Sequence, residues 1–242
     1  MGFGIVAALS GAKARELELE VLSNNISNIQ TTGYKEMSVS FSSELNKHQP
    51  ENKDLATAQA SLRNGETYID FRQGAAFQTN NPTDVALQGD GFFALQTPEG
   101  IRYTRDGNFS LDASGKLINA RGDTVLSDSG PITIPSGTII NIGTDGQITA
   151  DQEVVGKLQV VDFMDRQKMK PLGNNYMSAD GLTATETVNI KVLQGHLENS
   201  NVNLVENLTR IIQVSRAYES IQKTIKQQIN SSKMLNKLPQ IG

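Results

Sequence analysis

Both ends of this chain repeat apolar residues at intervals of three and four, a spacing that lines them along one face of a helix. Near the amino end the series is Ile5, Ala8, Ala12, Leu19, Leu22, Ile26 and Ile29, broken only by Arg15. Near the carboxyl end it is Ile211, Val214, Tyr218, Ile221, Ile225 and Leu235, with Gln228 and Ser232 as polar members. A stripe of period 3.5 is a seam, and a seam needs another helix against it. The two stripes are separated by a long stretch without helical pattern, so the ends are expected to meet each other or the ends of other copies. Isolated helices are marginal in water, so both are expected to be mobile or disordered in a free monomer.

The first helix is predicted from about Gly4 to Gln30, where Thr31-Thr32-Gly33 supplies a glycine able to close it in the left-handed conformation. The last is predicted to start after Asn203, which caps it with Glu206 three positions on as in a capping box, and to stop before Pro239. Between them the pattern changes. Residues 36–65 are polar and weakly patterned, a linker or extended arm. From Glu66 the period becomes two, in short runs separated by turn signals such as Asn81-Pro82, Asp106-Gly107, Ser114-Gly115 and Arg121-Gly122. Strands this short and evenly spaced predict a barrel or sandwich with Greek-key-like connections. The expected fold class is therefore α+β: long terminal helices forming a coiled-coil-like domain, and a central all-β domain. The expected divisions are 1–35 (amino-terminal assembly helix), 36–65 (arm), 66–195 (β-domain) and 196–242 (carboxyl-terminal assembly helix).

Composition narrows the function. The chain has 242 residues and no cysteine, which excludes disulfides and thiol chemistry. No apolar run approaches the ~18 residues of a membrane helix. The opening residues lack a basic region before the amphipathic pattern, which disfavours a cleavable signal peptide. Residues 202–242 carry a net +4, leaving −8 for the remainder after a neutral 1–35. The cations of that basic segment are spread along the helix with no interleaved aromatic platform, so nucleic acid is not an expected partner.

Catalytic chemistry is thin. The only histidines are His48, in the arm, and His196, ahead of the last helix. The Asp-Gly pairs at Asp90, Asp106, Asp145 and Asp180 do not have EF-hand spacing and read as turns. Gly89-Asp90-Gly91 resembles part of a phosphate loop, but a strand follows it rather than a helix. Asp162 and Asp165 stand near one strand end and could act as a carboxylate pair on a glycan, the one enzymatic alternative.

Three segments are far more specific. The first, Leu22 to Lys35, includes Ser23, Asn24, Asn25, Asn28, Thr31, Thr32, Gly33, Tyr34 and Lys35. It resembles the amino-terminal signature of the bacterial flagellar rod and hook proteins, SNNxxNxxTxGYK in form. The second holds Gly89, Gly91, Phe92 and Phe93, then Tyr103, Thr104, Arg105, Gly107 and Phe109, and is similar to that family's central β signature. The third, Leu197 to Asn203 and then Ile212 to Glu219, is similar to its carboxyl-terminal helix. Asn24, Asn25 and Asn28 are poor helix-interior residues because their amides compete for backbone groups. They are expected to bond neighbouring subunits or the last helix.

The resemblance implies a structural subunit of the flagellar basal-body rod that assembles axially, transmits torque, and has no catalytic, cofactor, metal or small-molecule site. It implies as partners copies of itself, other rod proteins and the flagellar type III export apparatus. It implies a location in the periplasm-spanning rod, reached without a cleaved signal peptide. Length and the stretch Gly130 to Gly137 look most like the proximal-rod component that adjoins the distal rod, with the distal-rod and hook types as alternatives.

Overall fold

The computed structural model describes residues 2–40, 66–135, 137–187 and 190–235. Two helices stand at the ends, α1 (Gly2–Ser27) and α2 (Leu204–Leu235). The strands are β1 (Met37–Ser40), β2 (Glu66–Ile69), β3 (Ala76–Gln78), β4 (Val85–Gln88), β5 (Phe92–Thr97), β6 (Gly100–Thr104), β7 (Phe109–Leu111), β8 (Leu117–Asn119), β9 (Thr124–Ser127) and β10 (Gly130–Pro131). They continue as β11 (Ile140–Ile142), β12 (Gln147–Ala150), β13 (Glu153–Lys157), β14 (Val160–Phe163), β15 (Lys170–Gly173), β16 (Tyr176–Ser178), β17 (Ala184–Glu186), β18 (Lys191–Gln194) and β19 (His196–Glu198).

The chain forms two compact units, and neither is a continuous segment. The helical unit comprises residues 1–27, 37–70 and 203–242; the β-unit comprises 28–36 and 71–202. In the helical unit α1 and α2 run antiparallel. Asn25 meets Asn207, Glu18 meets Arg210, and Gly11 lies close to the Ile221 side chain. The antiparallel pair β1–β2 also belongs to this unit, matching Met37 with Ile69 and Ser40 with Glu66. Asn203 does cap α2: its side-chain oxygen accepts the N–H groups of Val205 and Glu206, at 3.1 and 3.3 Å.

The expected fold class needs correcting. Among the described residues there are only two α-helices, one at each end, besides a single 3-10 turn at Arg166–Lys168, in a chain that is mostly β. They do not build a long coiled-coil domain. On α1 the buried positions are Ala12, Glu18, Val21, Leu22 and Asn25, while Leu9 is 63% exposed. Ile5, Ala8, Leu19 and Ile26 are only half-buried. A seam requires apolar residues to sink at every repeat, and here the polar Asn25 is the most enclosed residue of α1 and Glu18 is buried among Ala12, Val21 and Leu22. In the single chain each helix packs against the other, so a packing partner is present without a second copy.

The β-unit is built around β5. One edge of β5 pairs with β6 along Phe93–Thr97; the other pairs with β14 at Phe92–Phe93 and with β9 at Leu95–Gln96. The resulting sheet runs β15-β16-β6-β5-β9-β8-β7, with β10 on β9 and β17 on β14. A three-stranded sheet, β11-β12-β13, and the pairs β4–β18 and β3–β19 pack around it. Phe93, Leu95, Phe109, Leu117 and Val125 of the large sheet, Val85, Leu87 and Val192 of β4–β18, and Ile142 and Ile148 of the small sheet form one buried cluster. Phe93 and Phe109 meet edge to face at 5.1 Å.

Candidate functional site

The three segments singled out in the sequence converge within the β-unit on a cluster of buried charge. The Lys35 side chain is 1% exposed, and its ammonium donates to Glu198 Oε1 at 2.6 Å and to the Arg72 carbonyl at 2.9 Å. Glu198 is wholly buried, and the same oxygen accepts the Gly74 N–H at 3.0 Å. Arg105, 3% exposed, donates from Nη2 to the Gly89 carbonyl at 2.6 Å and holds Nη1 3.7 Å from Glu198 Oε2. Its guanidinium lies 5.7 Å from the centre of the Phe92 ring. Burial pulls the Arg105 guanidinium below its ordinary value, while Glu198 and then Asp90 hold it up. It stays charged. Two cations thus share one carboxylate out of water, an arrangement in which losing the acid is far costlier than losing the whole cluster.

Backbone contacts tighten the same place. The Gly33 N–H donates to the Glu198 carbonyl at 2.8 Å. Gly33 has φ +68°, and a Cβ there would stand 2.4 Å from the Arg105 carbonyl carbon, so no other residue fits without movement. Gly74 is as tight: its Cβ would stand 1.9 Å from the Asn199 carbonyl oxygen. Asn201 accepts the Glu36 N–H at 2.7 Å and donates to the Arg72 carbonyl at 3.0 Å. Thr32 donates to Asp106 at 2.6 Å. Burial pushes the Asp106 carboxyl up, against the hydrogen bonds from Thr32 and the Asn108 N–H. Tyr34 is half-buried, and that burial, with Glu36 adding to it, pushes its phenol up to about 12.

A second polar cluster lies inside the helical unit. Asn25, fully buried, accepts the Met37 N–H at 2.9 Å and donates to the Met37 carbonyl at 2.7 Å, and its amide also reaches Asn207 Oδ1 at 3.4 Å. Two turns earlier, Glu18 takes Arg210 on one oxygen at 2.6–2.7 Å and Arg15 on the other at 2.6 Å. A buried amide pair between helices fixes their register, because any slip leaves it unsatisfied.

These segments are also where known proteins match. The model of the flagella basal body rod protein matches residues 5–35, that of the flagellar hook protein FlgE/F/G D1 domain residues 86–150, and that of the flagellar basal body rod FlgEFG protein C-terminal region residues 193–238. Whole-chain similarity agrees. A flagellar basal-body rod protein FlgF of Mesorhizobium japonicum is 32% identical over 235 residues, covering 94% of each chain. An FlgF of Caulobacter vibrioides is 33% identical, covering 92% of each. An FlgG of Buchnera aphidicola from Schizaphis graminum is 32% identical over 260 residues, covering 96% of each.

This chain belongs to the flagellar basal-body rod protein family. It is a structural subunit of the basal-body rod rather than an enzyme, and membership implies assembly with other rod proteins. The buried charges of this rod protein then read as architecture. Each signature contributes one member: Lys35 from the first, Arg105 from the second, Glu198 from the third.

The remaining signature residues divide by unit. Ser23 and Asn24 are exposed on α1, Asn28 and Thr31 bond each other at 3.2 Å, and Thr104 accepts the Asp106 N–H at 3.0 Å. Gly107 accepts the Val85 N–H at 3.0 Å through its carbonyl. Period two sends Phe92 and Phe93 to opposite faces of β5, and both faces are covered. Phe93 enters the main core, and Phe92 packs on Phe71 and Phe163. Tyr103 stacks edge-on against Phe163 at 4.8 Å. Gly91, at the start of β5, packs against Val160 and Ile190. On α2, Val214 is buried and Ile211, Tyr218, Ile221 and Ile225 are half-buried, while the side chain of Leu235 falls outside the described residues; Ile29 is half-buried in the turn that follows α1, which ends at Ser27.

The glycosidase alternative fails on charge. Arg166 clasps Asp162 through two bonds, at 2.6 and 2.7 Å. Burial pushes that carboxyl up, but these bonds and the Phe163 N–H outweigh it and hold it below the usual range, the reverse of what a general acid needs. Asp165 pairs with Lys168. His196 lies on β19 with Nδ1 2.8 Å from the Gln194 carbonyl, and His48 is outside the described residues. Sequence reading missed Glu18, Arg210, Arg72 and Gly74. A glutamate between two leucines of α1 was the available signal for the first.

Proposed function

We propose that this rod protein is an FlgF-type subunit that joins its neighbours through the helical unit. The observation that carries the joining is on α2. Leu204, Val205, Leu208 and Ile212 are 42, 73, 45 and 53% exposed and fall along one side of its first turns. Neither α1 nor β1–β2 covers them. Apolar surface repeated this closely marks an association surface, and copies joined head to tail through it form an open helical assembly rather than a ring. Such an assembly passes torque from subunit to subunit. The type is supported by alignment length. FlgF relatives align over 225–235 residues, whereas FlgG relatives need 247–260, more than this chain's 242, so the chain lacks internal segments that FlgG relatives carry.

We further place the chain among the cargo of the flagellar type III export apparatus, arriving with its amino end uncut. What supports an uncut end is that α1 is itself a partner: Gly11, Glu18 and Asn25 all meet α2. The test is Ile212→Asp in the full chain. Incorporation into basal bodies should fall below detection while circular dichroism and the unfolding midpoint stay within error of wild type. Normal incorporation of a folded Ile212→Asp protein defeats the assembly reading. Intact mass of the subunit from purified basal bodies tests the uncut end.

A further inference from the structure

We infer that Glu198 is the closing latch of the β-unit, the residue whose arrival allows the unit to finish folding. The cluster contains two cations and one acid that are far apart in sequence but less than 4 Å apart in space. Lys35 and Arg105 come early. A chain made or threaded amino end first presents both cations long before their carboxylate. Until then, burying Lys35 and Arg105 would leave two charges out of water without their shared counter-ion, which is strongly unfavourable.

The segment that carries Glu198 also closes the backbone. Strands β18 and β19 pair with β4 and β3, the Asn199 N–H donates to the Ala75 carbonyl, and the Glu198 carbonyl takes the Gly33 N–H. Segment 28–36 is therefore fixed by residues from the other end of the chain. Arg105 Nε and Nη1 and Glu198 Oε2 have no hydrogen-bond partner, so the Arg105–Glu198 contact is a pairing of charge at 3.7 Å rather than a bonded fork. A latch of this kind holds the β-unit open in any incomplete chain, and closes it by electrostatic compensation rather than by added apolar area. It leaves the large-sheet cluster free to form first.

The experiment uses the full chain and three variants, Glu198→Gln, Arg105→Met and the pair, in stopped-flow unfolding and refolding in urea. Glu198→Gln is expected to speed unfolding roughly tenfold or more while changing refolding less than about twofold, the signature of a contact made after the transition state. Arg105→Met, harmful alone, is expected to cost less in the Glu198→Gln background, because a cation without its acid is removed. If Glu198→Gln does not fold, Glu198→Asp is read in the same way, since it keeps the charge and withdraws it. Slowed refolding with unchanged unfolding would show that Glu198 acts early and overturn the latch. Strictly additive losses would reduce Glu198 to a packing residue and overturn it as well.

Discussion

Among the described residues, the β-unit buries two dozen apolar side chains, from Val85 to Val202, whereas the helical unit buries Ala12, Val21, Leu22, Ile69 and Val214. Yet among the described residues the helical unit leaves Leu9, Tyr68, Leu204, Val205, Leu208, Ile212 and Ile229 exposed, at least as many large apolar side chains as the larger β-unit exposes. One unit is finished by its own chain; the other is held by polar bonds and keeps its grease outside. Polar pairs such as Asn25–Asn207 specify geometry at little gain in stability, while apolar burial supplies stability with less directional demand. Within one molecule the two forms of order serve separate ends: a durable body, and a contact element tuned for register.

Phe93→Ala tests the durable body most severely. Phe93 is fully buried against Phe109, and its truncation should cost about 3–5 kcal/mol, read as a lower urea midpoint for the β-sheet signal. A loss under about 1 kcal/mol would erase the contrast between units. Asn25→Ala probes the other side. It removes three hydrogen bonds from one buried amide and should lower helical content and helix protection against exchange, by about 1–3 kcal/mol, without moving the β-sheet midpoint. Limited proteolysis sharpens the comparison further: cuts in 1–27 and 203–242 should precede any cut in 71–202. Acid gives the smallest effect. Asp162 titrates below the ordinary carboxylate value of 3.8 in the folded chain. The unfolded chain therefore takes its proton first, so the contribution is present near neutrality and fades as pH falls below about 4. Asp162→Asn should flatten the acid limb of the stability profile slightly; an unchanged limb would mean that the Arg166 clasp contributes nothing.

What could be read in the sequence follows the range of the forces involved. Asn203 announces α2 because a cap is a local bond, and β4 to β8 stand out because their turns are written in neighbouring residues. Strands β3 and β19 were not expected, since Ala76–Gln78 and His196–Glu198 are ordered only by each other, over a long separation. Strand β15 holds a proline and is exposed throughout, so it carries no apolar alternation to detect. The coiled-coil expectation arose from counting apolar residues on α1. Arg15 looked like a break in a seam, when with Arg210 it holds Glu18. The buried charge cluster was invisible for the same reason. Lysine, arginine and glutamate are normally solvent residues, and nothing local reveals that Lys35, Arg105 and Glu198 meet.

Asn201 ties residue 36 to residue 72, so the stretch from Phe71 to Val202 leaves and returns at nearly one point. A polypeptide excursion whose two stems stand side by side behaves as an interchangeable cassette. It can lengthen, shrink or acquire a new ornament without the host helices registering the change. A lineage of axial proteins built on such a plan varies this excursion while keeping a common method of joining.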